Sequence, residues 1–142
     1  MRATALRIVK VARLRDGFQL LADALGDPDA RVRANAVEAL EDAGDRRAVE
    51  FLLPLAGDPQ PRIRANAAKA LCRYGRDEGR TALEAMCRHS SDAMRLSAAW
   101  GGGEGRFEGA RVLLHERAAV EASPVVLAKI ADALSQFQEL PA

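Results

Sequence analysis

Side chains capable of chemistry are few in this sequence, and none lies in a spacing typical of a catalytic or metal site. His89 and His115 supply the only imidazole groups, and Cys72 and Cys87 supply the only thiols. The cysteines match neither a disulfide framework nor a zinc-ligand spacing. No serine elbow and no suitably placed carboxylate pair occurs either. The sequence therefore predicts no catalytic residue, no metal site and no cofactor.

A glycine-rich run, residues 101–105, invites comparison with phosphate-binding loops. No strand is predicted before it, and no Gly-Lys-Ser or Gly-Lys-Thr triplet follows, so that interpretation is disfavoured. Each glycine costs about 1 kcal/mol in a helix relative to alanine. The sequence therefore predicts that the helix ends early, beside Trp100, the only tryptophan. The notch left there is either a binding hot spot or a gap that the indole fills.

The composition bounds the class of protein. The chain has 142 residues, of which 49% are hydrophobic and 4% aromatic, and its formal net charge is +1. Such a balance gives no general attraction to nucleic acid or to an anionic membrane. No apolar run reaches the roughly 18 residues of a membrane span, and Arg2, Arg7 and Lys10 interrupt the apolar start. These features predict a cytoplasmic protein.

An internal repeat organises the chain. Residues 27–40 read DPDARVRANAVEAL and residues 58–71 read DPQPRIRANAAKAL, with nine of fourteen positions identical at an offset of 31 residues. A third copy is residues 89–102, and a looser fourth copy, residues 123–134, needs one extra residue of spacing. We therefore expect a half-repeat at residues 1–15 and repeats at 16–44, 45–75, 76–105 and 106–138.

Each repeat is predicted to hold two helices. In the second helix, small and aliphatic residues recur at the spacing of one helical face. An Asp-Pro pair precedes this helix in the first two repeats, where Asp is expected to cap it, and Gly44 and Gly75 are expected to end it. The first helices are predicted at 18–25, 48–56, 79–88 and 107–117, the second of them bent or shortened by Pro54. Their expected buried positions are Leu21, Leu25, Leu52, Leu55, Leu83, Met86, Val112 and Leu114.

The pattern D-P-x-x-x-[VI]-R-x-x-A-x-x-A-L resembles the short HEAT-like repeats of the phycobilisome-lyase type, over nearly the whole chain. The resemblance implies an all-α fold, an α-solenoid of stacked antiparallel helix pairs with about four repeats of about 31 residues. Relatives of this kind mostly serve as scaffolds, adaptors and regulatory modules. The resemblance therefore implies binding to a protein partner.

The resemblance also gives a structural role to the repeated polar residues. Asp27 with Arg33, and Asp58 with Arg64, are expected to form a ladder that links adjacent repeats. In the third repeat the aspartate position is His89, so one rung is in doubt. Asn35 and Asn66 occupy matching sites that are expected to face the seam between repeats and to be hydrogen-bonded there.

The predicted partner surface is the concave face, which second helices commonly line in a solenoid. Its outward column is Arg7, Glu38, Lys69 and Trp100, at intervals of 31 residues, with Glu41, Arg73 and Arg95 beside it. The function predicted is a non-catalytic protein-interaction or scaffold module, and the opening half-repeat favours a piece of a longer array. One alternative, a bilin lyase or isomerase subunit, rests on resemblance alone. The other, nucleic-acid binding, rests on the basic residues of the N-terminal segment.

Overall fold

The structure is a computed structural model that describes residues 15–138, so Arg7 and almost all of the predicted half-repeat lie outside the described residues. This part of the chain contains eight α-helices and no strand. The helices are α1 Arg15–Ala24, α2 Ala30–Ala43, α3 Ala48–Leu52, α4 Pro61–Arg73, α5 Asp77–Cys87, α6 Asp92–Gly105, α7 Ala110–Val120 and α8 Pro124–Gln138. A short 3-10 helix, Leu53–Gly57, continues α3. No helix of the described range is long and apolar enough to cross a membrane.

The helices form four pairs that stack in chain order. The even-numbered helices, here called the second helices, pack α2 on α4, α4 on α6 and α6 on α8. Each odd-numbered first helix packs against the second helix that follows it. The predicted all-α solenoid is therefore confirmed for the described residues, while the exact repeat boundaries remain a prediction.

The core follows the predicted helical faces in most places. Leu40 and Leu71, at matching positions of α2 and α4, are completely buried. Val112 was wrongly predicted to be buried, because its side chain is 61% exposed and Leu113 is buried instead. Helix α7 begins only at Ala110, after Gly109 in a left-handed conformation, which sets a different register from the one predicted.

The second helices begin two residues later than the Asp-Pro pairs indicated. In α2 the cap is Asp29, whose carboxylate accepts a hydrogen bond from the Arg31 amide. The Asp27 side chain instead accepts from the amide of Asp29, in the turn before the helix. At the other end Gly44 adopts the left-handed conformation with φ of 65°, which confirms the predicted stop.

Pro54 acts on the second first-helix as predicted. The α-helical conformation ends at Leu52, and residues Leu53–Gly57 tighten into the 3-10 helix with Pro54 in its first turn. Proline lacks the amide proton that would continue the α-helical ladder, so a shortened helix is the expected result.

The glycine run does not end its helix, and that prediction is wrong. Helix α6 continues through all the glycines to Gly105, and Gly101, Gly102 and Gly103 are buried within it. A Cβ atom added at Gly101 would lie 2.9 Å from Leu83 Cδ2, and one added at Gly103 would lie 2.9 Å from Ala133 Cβ. The glycines therefore allow neighbouring helices to approach closely, and this packing offsets their low helix propensity.

Candidate functional site

The seams between second helices carry the repeated charges, and they differ from one another. We call the contact of α2 with α4 the first seam, that of α4 with α6 the middle seam, and that of α6 with α8 the last seam. At the first seam Arg33 Nε lies 3.5 Å from Asp58 Oδ2, and both side chains are largely buried. This pair joins one helix pair to the next, in the geometry that the predicted ladder requires.

One turn geometry recurs before every second helix. The amide two residues on donates to the side chain of Asp27, Asp58, His89 or Glu121, over 2.8 to 3.0 Å. The arginine six residues after the first three of them donates to the backbone carbonyl of the same residue, over 2.8 to 2.9 Å. These four residues therefore occupy equivalent positions, although only three of them carry a carboxylate.

Arg95 does not lie on the outward column where the sequence placed it. Its side chain is 12% exposed, and Nε donates to Glu121 Oε2 over 2.8 Å across the last seam. Arg117 also contacts this carboxylate, at 3.1 Å. Hydrogen bonding from Arg95, aided by the Ser123 amide, lowers the pKa of Glu121 from 4.5 to about 2. Arg95 is therefore an inter-helix contact, at the position equivalent to Arg33 and Arg64.

The middle seam lacks the equivalent ion pair. Arg64 donates from Nε to the Asp58 carbonyl over 2.8 Å and from Nη2 to the Gly57 carbonyl over 3.2 Å. Both acceptors belong to the turn that precedes its own helix. Across the seam the carboxylate position is taken by His89, and Arg64 forms no ion pair within the described range.

Glu41 also lies elsewhere than predicted, since it is buried rather than outward. Its carboxylate is 3.3 Å from Lys69 Nζ and 2.8 Å from Arg73 Nη1, two contacts across the first seam. Hydrogen bonding to Glu41 raises the pKa of Arg73. Lys69 and Arg73, both predicted to contact a partner, are thus held by an acidic side chain of the chain itself.

Trp100 lies beside two cations of α4. Lys69 Nζ is 4.9 Å from the centroid of the indole ring, and the guanidinium carbon of Arg62 is 5.6 Å from it. Both distances are within the range of a cation–π interaction. The structure thus brings Lys69 and Trp100 together as the repeat spacing suggested, and adds Arg62, which the sequence analysis had not selected.

A groove lies between the first halves of α2 and α4. Its volume is about 750 Å³, and Glu38 and Asn35 line one side while Gln60 and Arg62 line the other. Val32 and Ile63, both buried, form apolar parts of its lining. Glu38 and Arg62 are exposed and, over residues 15–138, neither forms an ion pair. Arg62 therefore belongs both to this groove and to the surface around Trp100.

The two repeated asparagines have different surroundings. Asn35 lines the groove, whereas Asn66 is completely buried and both its side-chain amide atoms lack a hydrogen-bond partner. The predicted hydrogen-bonded seam is therefore not formed at Asn66. A buried amide without partners costs on the order of 1 to 3 kcal/mol, so Asn66 weakens the packing around it.

The remaining reactive side chains form no cluster in the part of the chain that the structure describes. No group of three histidine, cysteine, aspartate or glutamate side chains there could hold a metal ion. Burial raises the pKa of Cys72 and of Cys87 to about 11, and both are free thiols. They are therefore protonated at neutral pH, where a thiolate would be the reactive form.

Two residues of these sites escaped the sequence analysis for different reasons. Glu121 had a detectable signal, because it occupies the rung position once the one-residue insertion before the fourth repeat is counted. Arg62 had none, since the 31-residue spacing from Arg31 does not reveal which of the two is ion-paired. In the structure Arg31 pairs with Asp29, at 3.4 Å.

Comparison with known proteins agrees with this architecture. A family model described as HEAT repeats matches residues 18–103, which is more than half of the 142-residue chain. The match does not separate the phycobilisome-lyase type from other HEAT repeats, so that subclass remains a prediction. No curated protein matches the chain.

Proposed function

The chain belongs to the HEAT-repeat family, and from that premise we propose that it is a non-catalytic module that binds a protein partner on the surface of its second helices. The observation that carries the proposal is the groove between α2 and α4, which leads through Arg62 to the exposed part of Trp100. Tryptophan and arginine are enriched among residues that dominate binding energy at protein interfaces.

Two features of this surface support the choice over the first-helix side. Lys69 and Arg73 are held in place by Glu41, so the charged side chains near Trp100 lose little freedom when a partner binds. Solenoids also commonly present their second helices as a continuous surface for an extended partner. The identity of that partner is not encoded in these contacts.

Site-specific photo-crosslinking in the source cells tests the proposal. A photo-reactive amino acid replaces Glu38, Arg62 or Glu104 on the second helices, and Glu50 or Glu116 on the first helices, all of which are exposed. We expect protein adducts from the first three positions and few from the other two, with adducts identified by mass spectrometry. The Glu50 and Glu116 variants serve as matched controls, because they alter exposed charged residues on the opposite helices.

Other results would contradict the proposal. Adducts confined to Glu50 and Glu116 would move the interface to the first helices, and absence of adducts from every position would argue against a partner-binding module. Thermal unfolding of each variant must match that of the wild type for the comparison to count.

Neither alternative function is favoured by a described residue. The bilin lyase or isomerase alternative rests on resemblance to one subclass. The nucleic-acid alternative rests on basic side chains of the N-terminal segment, which lie outside the described residues.

A further inference from the structure

We propose that the groove between α2 and α4 binds an extended peptide segment that carries a basic residue for Glu38 and an acidic residue for Arg62. The proposal rests on the proposed function, since it names the chemistry of a partner for part of that surface. Its physical basis is a pair of opposite, unsatisfied charges on the two sides of one groove.

Glu38 and Arg62 differ from the charged residues around them. Arg31 is paired with Asp29, and Lys69 and Arg73 share Glu41. Glu38 and Arg62 line the groove without an ion pair in the described chain, and the one contact found for Arg62 is the face of Trp100. A ligand that neutralises both residues gains two charge-assisted hydrogen bonds without breaking an existing ion pair.

The neutral polar groups of the groove favour a peptide backbone. The Asn35 and Gln60 side chains line it, and neither makes a side-chain hydrogen bond within residues 15–138. Each primary amide both donates and accepts hydrogen bonds, which suits the unpaired N–H and C=O groups of an extended chain. Between them Val32 and Ile63 offer apolar surface for a small aliphatic side chain of the ligand.

The size of the groove sets the length of the ligand. Packed helices lie about 8 to 10 Å apart, and an extended chain advances about 3.3 Å per residue. The basic and acidic residues of the ligand should therefore lie about three positions apart. A free amino acid cannot bridge this distance with its own amino and carboxylate groups, whereas a short peptide segment fits the volume of about 750 Å³.

Trp100 supplies a direct assay, because it is the only tryptophan and Arg62 lies against its ring. The probes are acetyl-Lys-Leu-Ala-Glu-amide, the dibasic acetyl-Lys-Leu-Ala-Lys-amide and the diacidic acetyl-Glu-Leu-Ala-Glu-amide. Each is titrated into the full chain while Trp100 fluorescence is recorded. We expect the Lys/Glu peptide to bind at least about tenfold more tightly than either of the others.

Charge reversal of the groove provides the decisive comparison. Glu38→Lys should transfer the preference to the diacidic peptide, and Arg62→Glu should transfer it to the dibasic peptide. Because both residues are exposed and outside the ion pairs, these variants should retain the wild-type melting temperature. Restoration of binding by the complementary peptide cannot arise from a folding defect.

The proposal is overturned if all three peptides bind equally, if none binds, or if charge reversal leaves the preference unchanged. Such a result alongside adducts at Glu38, Arg62 and Glu104 would leave the proposed function standing and remove only the peptide chemistry. Conversely, switched peptide preferences with adducts confined to the first helices would retain the peptide groove and move the principal partner surface elsewhere.

Discussion

The first seam and the middle seam join equivalent second helices through different contacts. Across the first seam Arg33 faces Asp58, and Glu41 binds Lys69 and Arg73. Across the middle seam Gly101 approaches Ala65, and the charged groups there face the ring of Trp100. A single repeat motif can therefore be held together by ion pairs or by close backbone packing. Acid and salt should act on the first kind of seam, and added side-chain volume on the second.

The largest effect is expected from filling the middle seam. Gly101→Leu places a branched side chain where even a Cβ atom would lie 2.9 Å from Leu83 Cδ2 and 3.6 Å from Ala65 Cβ. Overpacking of this kind should lower the free energy of unfolding by about 3 kcal/mol, measured by urea denaturation.

The adjacent glycine offers a matched control for that experiment. A Cβ atom at Gly102 meets only Leu114 side-chain atoms, at 3.6 to 3.7 Å, which is ordinary contact. Gly102→Ala should therefore raise the free energy of unfolding by up to about 1 kcal/mol through helix propensity. Equal losses in Gly101→Leu and Gly102→Ala would show that the close approach at Gly101 is not the cause.

How far the sequence predicted these seams depends on the range of the interaction. The helical faces that bury Leu40 and Leu71, and the stop at Gly44, follow from residues within one or two turns, and these predictions are correct. The end of α6 at the glycines was predicted from local propensity alone. That prediction failed because Leu83 and Ala133, distant in sequence, pack against the glycines.

The candidate site was predicted less completely, for a related reason. The spacing of 31 residues placed Lys69 and Trp100 on one surface, where they make contact. It placed Arg95 there too, because the ion pair with Glu121 depends on a one-residue shift in the last repeat. The periodicity marks equivalent positions, but only three-dimensional neighbours show which charges are already paired.

The acid sensitivity of a charged seam is the next prediction, and the last seam provides the clearest residue. The lowered pKa of Glu121 means that its stabilising contribution is present above pH 4.5 and is lost as the pH falls towards about 2. Glu121→Gln should lower the free energy of unfolding by about 2 kcal/mol at neutral pH, with solvent screening allowed for. The difference from wild type should shrink as the pH falls through this window.

Denaturant titrations between pH 7 and pH 2 measure this loss. Glu116→Gln is the control, because Glu116 is exposed and forms no ion pair in the described chain, and it should change stability by less than about 0.5 kcal/mol. A constant difference between Glu121→Gln and wild type at every pH would show that the carboxylate charge is not what stabilises the last seam.

The smallest effect is expected from converting the middle seam to the charged kind. His89 Nδ1 accepts the Ser91 amide as the Asp58 carboxylate accepts the Gln60 amide, so His89→Asp should keep the turn and direct its second oxygen towards Arg64. An added ion pair of this type should stabilise by about 0.5 to 1 kcal/mol, less so at high salt. His89→Asn retains the acceptor without the charge, and Arg64→Gln removes the cation, so a double-mutant cycle isolates the pair. A gain equal in His89→Asp and His89→Asn would assign it to the turn rather than to the rung, and the two kinds of seam would then differ in packing alone.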